Sequence, residues 1–258
     1  MEAPPDLSRP SPAVNGAISL VPPYVSAQPL ARWLAVLLVV TGLVAWIAVG
    51  FDIADIRLLA RQAGGEAIEA IDRRAHGITG AVLLTAQITL FVATALAFVL
   101  WTYAARSNLR ALGARRLDYT TAWSVAGWWV PGLNVVRPYQ VLREIWKASD
   151  PTTTDRFAWK QARTPALLIL WWVSFVGFVA LDVATALMTL SAGVELPKFQ
   201  YARAASVLAD TGAAVSASLA YFVVTKITDA QHEKWELREQ YQAIDDDLLV
   251  LTAERATP

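Results

Sequence analysis

Apolar positions in this chain gather into long blocks separated by short charged ones, and the length of each block predicts an element. No charged residue occurs in the 19 positions from Trp33 to Phe51. At about 1.5 Å per residue, a helix of that length crosses a hydrocarbon layer of about 30 Å. A cleaved secretory signal is the rival reading, because Ala48-Val49-Gly50 offers small residues. A signal's apolar core, however, is usually about 7 to 15 residues long and lies nearer the terminus. Gly77 to Ala105 gives 29 uncharged residues, so this span tilts or projects, with Trp101 and Tyr103 at its far interface. Thr164 to Leu181 supplies 18 more and continues past Asp182, while Ala204 to Thr225 is interrupted only by Asp210. Four spans are expected, at about 33–51, 77–105, 164–192 and 204–225.

The polar blocks carry their own patterns. Residues 52–76 mix charged and apolar residues at helical spacing around Gly64-Gly65, which predicts two short surface helices. From Leu237 through Tyr241, Ile244, Leu248 and Leu251, spacings of four and three alternate, the seam of a short coiled coil or docking helix. Residues 229–258 are thus expected to form a polar helical tail. At the other end, residues 1–29 hold seven prolines and no apolar periodicity, so they are expected to stay disordered. Pro22-Pro23-Tyr24 resembles half of a proline-rich ligand motif, but its spacing is wrong and a plain linker is the simpler reading.

One block fits neither pattern. Tyr119 to Val130 is apolar but only 12 residues long, about 18 Å as a helix, before Pro131-Gly132 stops it. Arg137 follows shortly afterwards, and Pro138 suits the first turn of a new amphipathic helix with Tyr139, Leu142 and Trp146 on one face. Arg143, Glu144 and Lys147 fall on the other faces. The stretch 119–149 therefore reads as a re-entrant or interfacial helical hairpin.

Charge placement supports that reading. With the amino terminus inside and a hairpin that does not cross, 16 basic residues lie on the cytoplasmic side and 6 outside. If the stretch spans, the best arrangement gives 14 against 8. The first arrangement obeys the positive-inside rule better and puts both termini in the cytoplasm.

Composition sharpens the class. A chain that is 55% hydrophobic and 17% charged is too apolar for an ordinary soluble domain. It contains no cysteine, which excludes disulfides, thiolate metal sites and cysteine nucleophiles. Basic and acidic residues cancel and no recognition module is visible, so nucleic acid is not an expected partner.

Candidate chemistry lies where ionisable groups enter spans, because a charge near the bilayer centre costs roughly 2.5 to 3.5 kcal/mol on insertion scales. Asp182 and Asp210 qualify, and Gln87 falls near their level. Ala213, Ala214, Ala217 and Tyr221 share the Asp210 face, a small-residue stripe that should face protein. The two carboxylates could handle a cation or proton, or each could merely fix helix packing. Asp210-Thr211-Gly212 matches the aspartic protease tripeptide, but a single copy cannot make that dyad. No phosphate loop, metal spacing or nucleophile elbow occurs, and His76 and His232 stand alone. No catalytic residue, metal or cofactor is therefore expected. Asp245-Asp246-Asp247 reads as a solvating run. Arg110, Arg115, Arg116, Arg143 and Lys147 could contact anionic lipid head groups or act only as topology determinants.

With these residues in hand, the chain resembles the bacterial membrane family called domain of unknown function 4328. The resemblance rests on Asn108-Leu-Arg-Ala-Leu-Gly113, on Gly127-Trp-Trp-Val-Pro-Gly-Leu-Asn-Val-Val-Arg-Pro-Tyr139, and on Arg143-Glu-Ile-Trp-Lys-Ala-Ser149. It covers roughly residues 77–230 and implies a multi-pass membrane domain, with no ligand or catalytic residues to carry over. Trp128, Trp129, Pro131, Gly132, Asn134, Arg137 and Pro138 form its central motif.

The expectation is an all-α integral membrane bundle of four helices plus a cytoplasmic-side hairpin. It would lie in the bacterial inner membrane, with a membrane domain over residues 30–228. The expected role is a non-enzymatic scaffold or interaction protein that binds the lipid bilayer and uses its carboxyl-terminal helix for a protein partner or self-association. The alternative is a small transporter or channel using Asp182 and Asp210.

Overall fold

The computed structural model describes residues 22–153, 157–192 and 196–256. The proline-rich tail up to residue 21, Arg156 of the second basic block, Val194 and Glu195 lie outside the described residues, as does the Leu251 side chain of the expected seam. Among the described residues there are six α-helices: α1 (Gln28–Ala63), α2 (Ala70–Asn108), α3 (Trp123–Trp129), α4 (Arg137–Ser149), α5 (Ala166–Ala192) and α6 (Leu196–Ala256). Among the described residues, four of these, α1, α2, α5 and α6, are long and apolar enough to cross a membrane.

Helix α1 starts with Pro29 in its first turn, where the missing N–H costs nothing. It does not stop at Phe51 but runs on to Ala63, 36 residues in all, until Gly64 and Gly65, the latter at φ +82°, turn the chain. Helix α2 begins six residues later and runs for 39. Residues 52–76 are therefore extensions of two long helices, joined by a tight turn, and not the separate surface helices that their charge density predicts. The amphipathic pattern was real, but the helices overshoot the uncharged runs.

Helix α6 occupies the centre, with α1 and α5 packed along it and α2 beside α1. Small residues set the approach. A Cβ on Gly42 of α1 would sit 3.7 Å from Ala217 Cβ, and one on Gly212 would lie only 3.0 Å from Phe178 Cβ of α5. With lipid tails as apolar as the side chains, such close van der Waals contact drives helix association. The stripe predicted around Ala214 and Ala217 thus faces protein, as expected. Long apolar side chains on the outer faces, including Val36, Ile47, Ile88, Leu100, Val173 and Leu187, are exposed in a belt that suits lipid.

The best-sealed core lies at one end, where Leu34, Trp101, Leu142, Ile145, Leu168 and Ile227 are completely buried. Trp101 was expected at a membrane interface. It is instead packed inside the bundle, where its indole N–H donates to the Thr228 hydroxyl at 3.0 Å. This hairpin end also receives α3 and α4, while the Gly64-Gly65 turn marks the distal end.

Both tails differ from their expected boundaries. Tyr24 stacks on Trp235 with ring centroids 4.7 Å apart, and the Val25 backbone exchanges hydrogen bonds with the Asn108 side chain at 3.1 and 2.8 Å. Residues 24–27 are thus docked, whereas the sequence reading assigned everything up to 29 to a loose tail. At the other terminus no break separates span from tail: α6 is one helix of 61 residues.

Candidate functional site

The hairpin is built around a glycine and an arginine. Helix α3 holds only seven residues, and Val130 to Val136 turn the chain through Gly132, whose φ of +78° favours glycine. The α3 and α4 backbones come close because Gly127 has no side chain. A Cβ there would meet Arg137 Cγ at 3.0 Å. The Arg137 guanidinium covers the rings of Trp123 at 4.8 Å and Tyr119 at 5.0 Å, and Nη1 donates to Gln140 Oε1 at 3.0 Å. Arg137 is therefore committed to joining the two arms.

Trp128 anchors the hairpin to the bundle by edge-to-face contacts with Phe98 of α2 and with Trp172 and Phe175 of α5, at 5.9–6.1 Å. The Trp172 indole N–H adds a hydrogen bond to Val135 O at 3.1 Å. Phe98 lies ten residues from the end of α2, so Trp128 reaches about 15 Å along the bundle. Trp129, 73% exposed, together with Val130, Leu133, Val135 and Val136, forms an outward apolar tip, and Pro131 and Asn134 are exposed with it. Pro138 is buried at the start of α4.

Both feet of the hairpin stand at the same end. The Asp118 N–H donates to Glu144 Oε2 of α4, and Lys160 reaches the Asp118 carboxylate at 2.7 Å. The two arms therefore fold back to one end of the bundle, the hairpin shape that Pro131-Gly132 predicts. The sequence pattern puts Glu144 on a different face from Tyr139, Leu142 and Trp146. It is buried, and its carboxylate pairs with Arg106 Nη2 of α2 at 3.1 Å. Burial pushes the Glu144 carboxyl above the usual range, against the lowering effect of the Asp118 N–H and Arg106.

Helix α6 closes this end. The Gln231 amide donates to Ala105 O at 2.9 Å and to Ser149 Oγ at 3.0 Å. Lys234 Nζ donates to Ala148 O, Asp150 O and Thr153 Oγ1 at 2.8–3.0 Å, where the α4 carbonyls run out of partners. Around this rim Arg110, Arg115, Arg116 and Arg143 are exposed, and Lys147 is half-buried with its ammonium 3.5 Å from Lys160 O. Arg116 lies over Phe157 and Arg143 over Tyr139, at 5.0 and 6.0 Å.

A second polar cluster lies toward the distal end. Gln87 and Asp210, singled out from the sequence, do meet: the Gln87 amide donates to Asp210 Oδ1 at 2.7 Å. Asp182 does not join them; it is exposed on α5. The partners that sequence reasoning missed are Asp52, 4% exposed, and Arg203, whose Nη1 is 3.5 Å from Asp52 Oδ1 and whose Nε is 2.6 Å from Asp55 Oδ2. His76 Nε2 completes the group at 2.9 Å from Asp55 Oδ1. Asp52 and Asp55 thus share one guanidinium, Asp55 also meets the imidazole, and Asp210 takes the Gln87 amide. The available signal was spacing: Asp52 and Asp55 sit three apart, one turn beyond an apolar run.

The comparisons with known proteins agree with the motif. The family model described as a domain of unknown function, DUF4328, matches residues 65–229, and the chain belongs to that family. No curated protein and no solved structure matches.

Proposed function

We propose that this DUF4328 protein is a membrane scaffold that holds a helical docking arm at a fixed angle to the bilayer. The observation that carries this reading is the continuity of α6. It passes from span to arm without a break, and beyond Arg238 its seam residues Tyr241, Ile244 and Leu248 are exposed. Tyr24, Gln231 and Lys234 fix the base of that arm. Its chemistry points to a basic amphipathic partner helix. Between residues 233 and 249 six acidic residues face two basic ones, and those two are engaged, Lys234 with α4 and Arg238 over Gly113. A second copy inserted in the same orientation would bring the Asp245-Asp246-Asp247 runs together, which repulsion disfavours.

The placement consistent with this reading is a bacterial inner membrane with hairpin, arm and both termini in the cytoplasm, where basic residues are retained. The rim arginines would there lie near anionic head groups, each contributing about 1 kcal/mol. The role proposed is non-catalytic, in keeping with the polar side chains of the described residues, which pair with one another at helix contacts.

The test is pull-down from native membranes with the full chain, with a chain lacking residues 239–258, and with Tyr241→Asp/Leu248→Asp. A partner recovered in a salt-sensitive manner by the full chain and lost from both variants is expected. A set of bound proteins identical across all three would overturn the reading. The truncation starts at 239 because Gln231, Lys234 and Trp235 belong to the packed body. A transporter built on Asp182 and Asp210 is favoured less, since Asp210 turns towards Gln87 and Asp52 instead. Proteoliposome flux abolished by Asp182→Asn would revive it.

A further inference from the structure

The distal cluster holds more negative charge than its surroundings balance. Asp52 and Asp55 come from α1, Asp210 and Arg203 from α6, His76 and Gln87 from α2, and α5 contributes the exposed Asp182 farther off. Asp55 is satisfied, since Arg203 Nε lies 2.6 Å from one carboxylate oxygen and His76 Nε2 is 2.9 Å from the other. Arg203 reaches Asp52 only through its Nη1, at 3.5 Å from Oδ1. Gln87 occupies Asp210 Oδ1.

What is left is Asp52 Oδ2, sealed from solvent and without a donor, on a side chain within hydrogen-bonding reach of Asp210. A buried carboxylate oxygen without a donor is costly, and two ionised carboxylates in contact repel. One proton resolves both problems. Bound to one carboxyl, it becomes the donor that the other lacks. A metal cation would resolve the charge but would have to sit beside the Arg203 guanidinium, which repels it.

We propose that Asp52 and Asp210 form a one-proton binding site that ties α1 to α6 when occupied and forces them apart when empty. Gln87 and Arg203 hold the two outer oxygens, so the Asp52 Oδ2 edge is left for the proton. The Gly42 contact with Ala217 lies further along the same α1–α6 seam, where the backbones have no side-chain buffer. The inference does not rest on the docking reading, because its two carboxyls lie at the opposite end of α6 from the docking seam.

The test uses the full chain in nanodiscs and infrared difference spectroscopy, which separates neutral carboxyl groups from carboxylates. Near neutral pH the wild type is expected to show a neutral carboxyl that is absent from Asp52→Asn and from Asp210→Asn and retained in Asp182→Asn. Thermal unfolding supplies a second readout. The wild-type midpoint should fall once the proton is removed by raising the pH, and Asp210→Asn, whose amide is a permanent donor, should flatten that fall. A wild type without a neutral carboxyl overturns the proposal. So does a neutral carboxyl that vanishes only with Asp182→Asn, or a stabilisation by sodium at fixed pH that Asp52→Asn removes.

Discussion

The Lys234 ammonium lies 3.0 Å from the carbonyl oxygen of Ala148, at the carboxyl end of a helix 86 residues earlier in the chain. A single side chain of α6 thereby ends α4. Replacing it with methionine keeps the stem and removes the donor, leaving buried carbonyls without a partner. Lys234→Met is expected to lower stability by about 1–3 kcal/mol, read as a lower unfolding midpoint in detergent.

The Arg106–Glu144 pair is buried on both sides. Removing one partner strands the other, so Glu144→Leu should cost about 3–5 kcal/mol, whereas Arg106→Met with Glu144→Leu should recover most of that loss. The raised Glu144 carboxyl adds a sign. Stability from this group is fully present below its unfolded titration range and is lost as pH rises through the folded one, so the double variant should show a shallower decline with pH. Unfolding midpoints across a pH series would check both.

Gly127 and Gly132 should resist substitution for different reasons. Alanine at 127 drives a methyl group into Arg137, with an overpacking cost of about 1–3 kcal/mol. Alanine at 132 meets no neighbour but must hold φ near +78°, at a cost of about 1–2 kcal/mol. Gly177→Ala, with open space and helical geometry, should be neutral. Unfolding midpoints of the three variants, ranked in that order of loss, would confirm the assignment.

Topology can be read with introduced cysteines because the native chain has none. Arg110→Cys and Thr152→Cys, both exposed at the hairpin end, are expected to react with an impermeant reagent from one side. Ala63→Cys should react from the other. Labelling of 110 and 152 from opposite sides would refute the returning hairpin. Ser149, an obvious choice from sequence, is unsuitable because it is fully buried.

Run length and breakers were enough to read the four long helices and the hairpin from sequence. Pro131-Gly132 marks its turn in plain sight. Less legible was everything that depends on where a helix ends relative to its neighbours. Asp52 looked like the first residue outside a span, yet α1 continues for three more turns, and α6 brings Arg203 and Asp210 against it from more than 150 residues away. Glu144 followed a helical pattern whose buried face is only visible once Arg106 is known to approach it. Trp101 shows the same limit: tryptophan near a span end suggests an interface, but Thr228 offers it a partner inside.

An unbroken α6 has a mechanical meaning. With about 1.5 Å of rise per residue, Asp210 and Leu237 lie about 40 Å apart on one rod. A rotation of that rod at the distal carboxyls would swing the arm's seam by the same angle, with no hinge to absorb it. Whatever turns one end of the helix would then be felt at the other as a single torsional coordinate.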